Sequence, residues 1–229
     1  MEFKIISLED LRECLSNFLM HFYNGQFSDL KKNVFLDIDE KMFEEFRIRP
    51  VTKEEIIRLV ELNKKNVKKD SIRIKNAWGE KEKEILYKIK IRTGLEISTE
   101  NIVCSLNPYT SNGFYGENNI TLGLVDENSE TDVMVIAHEL FHIFYWRKLR
   151  ELGLFSKRLG KEKQWEWALA EVTVYLLQKD LQKSWPNTKI ELYPETKEVY
   201  DRVKYFWKKE KFDNYLIKSY ELFSNGESI

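Results

Sequence analysis

From Val133 to Trp146 the only side chains with strong hydration needs are His138, Glu139 and His142; every other position carries Val, Met, Ile, Ala, Leu, Phe, Tyr or Trp. A helix that is apolar on every face is a buried helix. Burying two imidazoles and a carboxylate without partners costs several kcal/mol, so the fold has to answer all three groups at once. In a helix, positions i and i+4 share a face one turn apart, and His138 and His142 can therefore offer two ring nitrogens to one ion. Glu139 is rotated from His138 by about 100°. It reaches a water held by that ion rather than the ion itself, and can take that water's proton. One metal ion and its water would satisfy the three groups together. The alternative reading of the same residues is a pair of core histidines with Glu139 facing a Lys or Arg.

Two protein ligands rarely suffice: catalytic zinc usually has three, with a further position left open. The metzincin spacing would require Gly at 145 and His at 148, and the chain has Tyr145 and Lys148 there. The only other histidine of the three in the chain is His21, set among apolar residues of a predicted first helix with no second ligand near it. It reads as a core or partly exposed histidine. The third ligand is therefore expected to be a carboxylate. Between Trp167 and Leu177 the one carboxylate is Glu171, preceded by Ala168 and Ala170, followed by Val172 and Val174, and flanked by no Lys or Arg. A carboxylate in that setting wants a cation, and the small residues permit close helix approach. Glu166 is the alternative. It lies about 140° round the same helix, so the two cannot share one role. A surface or core-paired Glu171 is the reading without a metal.

The rest of the chain predicts an α+β fold, a small sheet beside a mostly helical body, with the HExxH pattern on a buried helix. Ser7 can cap a first helix carrying Leu8, Leu11, Leu15, Phe18, Leu19 and Phe22 on one stripe. Thr52-Lys53-Glu54-Glu55 reads as a capping box opening a second. A further helix is expected from Glu80 to about Thr93, stopped by Gly94. Ile97 to Leu106 reads as a strand, Tyr109 to Asn118 as loop, and Asn119 to Val125 as a second strand. Helices are then expected from about Thr131 to Leu149, Lys163 to Gln182, Pro194 towards Trp207, and Phe212 to Phe223. The expected organisation is an N-terminal helical region, residues 1–78, and a zincin-like domain with C-terminal helices, residues 79–229.

At 229 residues, 42% hydrophobic and 14% aromatic, the chain can build a packed core. A third of its residues are charged, yet the net charge is -1, which gives no electrostatic case for nucleic acid or an anionic membrane. The basic stretch Lys64 to Lys69 reads as a solvated helix end. Cys14 and Cys104 show no CxxC spacing and predict no disulfide framework. The N-terminus lacks a basic start followed by an apolar run, so no secretory signal and no membrane span are expected, and a cytoplasmic protein is the simplest inference.

Together these residues resemble the gluzincin class of zinc metallopeptidases, whose shared pattern is HExxH on one helix and a glutamate ligand on a following one. His138, Glu139, His142 and Glu171 match that pattern, and Ala168-Leu169-Ala170-Glu171 is similar to the thermolysin-like third-ligand region. The likeness covers about residues 80 to 180. It implies a divergent, minimal zincin that hydrolyses peptide or protein substrates: Zn2+ on His138, His142 and Glu171, and Glu139 as general base to an activated water. It also implies an upstream edge strand that pairs with extended peptide; Asn119 to Val125 falls at that place, and could equally be a plain sheet edge. The thermolysin-like pattern has Asp four residues after its glutamate ligand, orienting a ligand. Tyr175 stands here instead, a departure from that subgroup. Tyr115, Tyr145, Tyr175, Tyr193 and Tyr200 are candidates by chemistry for steadying an oxyanion, with none singled out. The alternative function is a non-catalytic or single-partner regulatory protein that keeps the metal site, of the kind in which cytosolic zincins clip repressors. The N-terminal helices could bind a partner or gate the cleft, or simply add packing. Oligomeric state is not legible.

Overall fold

A computed structural model describes residues 1–5, 52–107, 113–123, 129–154 and 164–224. The predicted first helix, with His21 and Cys14, lies outside the described residues. The described chain is a mixed fold, mostly helical with one small sheet. It forms two compact units: Met1–Gly79 with Thr99–Ile136, and Glu80–Ser98 with Ala137–Ile229.

The first unit holds strands β1 (Glu2–Ile5), β2 (Val103–Asn107), β3 (Gly113–Tyr115) and β4 (Asn119–Gly123), in the order β1-β2-β4-β3. β1, β2 and β4 run parallel, with Phe3 opposite Cys104 and Cys104 opposite Ile120; β3 runs antiparallel to β4, with Tyr115 opposite Ile120. Alternation puts Cys104, Leu106, Ile120 and Leu122 in the interior. Three expectations are corrected here. Asn119–Gly123 is an inner strand paired on both sides, not an edge. Part of the expected loop before it, Gly113-Phe114-Tyr115, is the edge strand, its aromatic pair favouring extended backbone. The Glu2–Ile5 segment is a strand that the helical reading of residues 1–78 overlooked, although Phe3 and Ile5 alternate with charged residues.

Burial makes Cys104 inert. Its side chain is fully buried, and desolvation, with the Asp132 charge adding to it, pushes the thiol up to about 12. In a Cys14→Ser variant, an aromatic disulfide reagent at pH 8 is therefore expected to label no thiol in the native protein and one in denaturant. Rapid native labelling would contradict this placement of β2.

Helix α1 (Lys53–Thr93) starts with the predicted capping box: Thr52 N–H donates to Glu55 Oε2 at 2.8 Å, and Glu55 N–H donates to Thr52 Oγ1 at 3.3 Å. It runs without a break through Gly79, where separate helices were expected. Gly79 has open space around it, so it costs the helix only its flexibility, about 1 kcal/mol relative to Ala. Ile74 and Trp78 before it, and Ile85 and Ile89 after it, are fully buried. Lys68 and Lys69, at the end of the basic stretch, are exposed. Within the first unit Arg73 donates to Asp132 (2.5 Å) and Ser129 (3.1 Å), tying α1 to the start of helix α2 (Ser129–Glu151).

In the second unit α1 ends at Gly94, whose φ of 71° is the left-handed value and whose N–H donates to Lys90 O at 2.7 Å. A Cβ in that conformation strains the backbone by about 1–2 kcal/mol. Gly94→Ala is thus expected to lower the urea midpoint at unchanged slope; a neutral result would argue against this terminus. The unit continues with α2 from Ala137, α3 (Gln164–Asp180), short 3-10 turns at Gln182–Ser184 and Pro194–Thr196, α4 (Lys197–Lys209) and α5 (Phe212–Ser224). α4 buries Val199, Val203 and Trp207, one per turn. Trp207 meets Tyr215 edge-on at 5.1 Å and lies under Arg92 at 3.9 Å, while Asp180 accepts from both Arg92 Nε and Trp207 Nε1 at 3.0 Å. Tyr215 donates to Thr173 Oγ1 (2.9 Å), since that hydroxyl spends its own proton on Leu169 O (2.7 Å). These contacts fix how α3 stands against α4 and α5, and so where Glu171 points. Among the described residues no helix is long and apolar enough to cross a membrane.

Candidate metal centre

Every residue from Glu139 to Trp146 is buried and His138 before them is partly so, in keeping with the apolar composition of α2. His138 and His142 bring their Nε2 atoms to 3.1 Å, with ring centroids 4.8 Å apart. α3 brings Glu171 to both: Oε2 lies 3.5 Å from His138 Nε2, and Oε1 lies 3.4 Å from His142 Nε2. His138, His142 and Glu171 form a group that could hold a metal ion. All three belong to the second unit.

The spacing can be tested against what an ion needs. A tetrahedral ion with bonds of about 2.0–2.1 Å separates its donor atoms by about 3.3–3.4 Å. The two ring nitrogens stand 3.1 Å apart, each has a different Glu171 oxygen at 3.4–3.5 Å, and one donor atom from each residue lies within 4.8 Å of the others, somewhat wider than the ideal. Glu171 Oε2 is moreover buried and accepts no hydrogen bond. A buried carboxylate oxygen left in that state is costly, and a cation between it and the two rings would remove the cost. The residues present could hold a metal ion.

Burial would raise the Glu171 carboxyl, but the adjoining His138 and His142 rings overcome it and draw it down to about 2. Burial pushes His142 down, against the pull of Glu171. For His138, burial also opposes the charged form, but the bond to Glu171 and the Glu139 charge win and the net shift is upward. Glu139 is 6% exposed, and burial pushes its carboxyl up to about 7 against the lowering effect of His138.

Glu166, the other carboxylate considered, is placed elsewhere: it accepts the Tyr220 hydroxyl at 2.7 Å. Among the tyrosines, Tyr145 is fully buried, Tyr175 stands edge-on to Tyr200 at 5.7 Å, and Tyr115 is in the other unit's edge strand. Tyr193 is half exposed; burial raises its hydroxyl, and the charges of Glu171 and Glu139 raise it further. One polar neighbour escaped the sequence reading. Gln178, 6% exposed, places Oε1 at 3.2 Å from His138 Nδ1. The signal was a polar residue two helical turns beyond Glu171, among Leu176, Leu177 and Leu181.

No family model, curated protein or solved structure matches the chain.

Proposed function

We propose that the chain is a zinc-dependent peptidase of gluzincin type, with His138, His142 and Glu171 holding the ion and Glu139 as general base. One observation carries the reading. Donors from two helices converge, each ring nitrogen within 3.5 Å of a Glu171 oxygen, and a second acid, buried Glu139, adjoins them outside the donor set. Two imidazoles and one carboxylate are a donor set suited to catalytic zinc, which keeps an open position for water or substrate. When bound, zinc supplies Lewis acidity, making water nucleophilic near neutral pH and polarising the scissile carbonyl.

The protein's own groups do the rest. The α2 turn between positions 138 and 139 aims Glu139 beside the donor set, not into it. Its carboxylate takes the proton lost by water as the water oxygen bonds to the carbonyl carbon. It delivers that proton to the departing amide nitrogen as the C–N bond breaks, so one water is consumed and the base is regenerated. Glu171 stays ionised, since the histidines hold its carboxyl low.

The test is direct. The zinc-loaded full chain is incubated with an unfolded protein, and new N-termini are identified by mass spectrometry. Cleavage that a chelator stops and zinc restores supports a peptidase. Zinc binding without cleavage would favour the regulatory binder, and a chain that binds no zinc would end both readings.

A further inference from the structure

We propose that Gln178 is a positioning residue that holds His138 in the tautomer a metal requires, so that α3 supplies both a metal-binding carboxylate and the group that orients an α2 histidine. The inference rests on the metal-site reading above and names a residue that the gluzincin pattern does not.

Seven residues separate Glu171 from Gln178, about two helical turns, which returns both side chains to one face of α3. Gln178 is buried, and its Oε1 lies 3.2 Å from His138 Nδ1. An amide oxygen can only accept, so the ring proton sits on Nδ1. The lone pair is then on Nε2, the atom 3.1 Å from His142 Nε2 and 3.5 Å from Glu171 Oε2. The opposite amide orientation would press a donor against Nδ1 and move the proton to Nε2, where it would block the ion. Gln178 thus determines which ring nitrogen is available.

The amide also suits the charge of the site. Glu171 is a carboxylate within the donor set, and Glu139 is a buried acid beside it. Their full ionisation balances one divalent cation. A neutral acceptor at 178 orients the ring without burying a third negative charge. Tyr175, at the place where the thermolysin-like pattern has its orienting Asp, faces Tyr200 instead. Orientation has moved one turn along the same helix.

The test measures zinc affinity of the full chain by competition with a chromophoric chelator, for wild type, Gln178→Leu and Gln178→Glu. Loss of an outer partner to a metal-binding histidine weakens binding about 10–100-fold. Gln178→Leu is expected to show that loss, and Gln178→Glu, which can still accept, to bind zinc more tightly than Gln178→Leu. Nitrogen-15 NMR of the zinc-loaded wild type is expected to show His138 protonated at Nδ1 and metal-bound through Nε2. The inference is overturned if Gln178→Leu binds as wild type, if Gln178→Glu is as weak as Gln178→Leu, or if the ring proton is on Nε2. Should Gln178→Leu fail to fold, the NMR result and Gln178→Glu decide. A wild type that binds no zinc removes the metal site itself, whereas zinc binding unaffected at 178 removes only the role of Gln178.

Discussion

Glu171→Ala is expected to abolish stoichiometric zinc binding and with it the stabilisation that zinc confers. A ligand that binds only the folded state adds RT ln(1 + [L]/Kd), about 4.1 kcal/mol when free zinc exceeds Kd by about a thousandfold. For a chain of this size that corresponds to a melting shift on the order of 10 °C. His142→Ala should lose the same increment, because both ring nitrogens and the carboxylate meet in one group that could hold an ion. Glu166→Ala is the control. Its carboxylate accepts the Tyr220 hydroxyl, so that variant should lose some packing stability yet keep the full zinc-induced shift. Calorimetry with and without zinc, and metal analysis after gel filtration, read both quantities. Zinc retained by Glu171→Ala and lost by Glu166→Ala would reverse the assignment.

Glu139→Gln should separate the metal from the chemistry. The amide has nearly the shape of the acid and replaces a group that burial already disfavours in its charged form, so folding and zinc content should survive. What disappears is the base. Positioned proton transfer contributes about 10²–10⁴-fold, equivalent to about 2.7–5.4 kcal/mol of barrier at 1.36 kcal/mol per decade. Cleavage of an unfolded substrate should fall by that factor at unchanged zinc occupancy. An unaltered rate would show that Glu139 is not the base; lost zinc would show that it belongs to the donor set.

Much of this molecule was legible because the relevant signals are local. The capping box at Thr52 and Glu55 and the glycine stop at position 94 concern residues within one turn of each other. His138 and His142 are one turn apart, so helical periodicity alone puts them on one face. Glu171 stood out as an acid among apolar neighbours. Other features were not legible, for equally physical reasons. The continuity of α1 through Gly79 runs against a local helix penalty of about 1 kcal/mol, while Trp78 before it and Ile85 after it are buried. The inner position of β4 depends on pairing with β2 and β3, and a strand's own residues do not say which neighbours it will have.

By itself the sequence determined the character of the α2 helix: apolar on every face, with two imidazoles and an acid that an interior must answer. Only the tertiary structure decided what answers them. α3, held by Asp180 against Arg92 and Trp207 and by Thr173 against Tyr215, brings Glu171 to 3.5 Å or less from both rings and Gln178 to the back of His138. Periodicity within a helix follows from its own backbone. Convergence of atoms from two helices follows from how their side chains pack, which no single segment encodes.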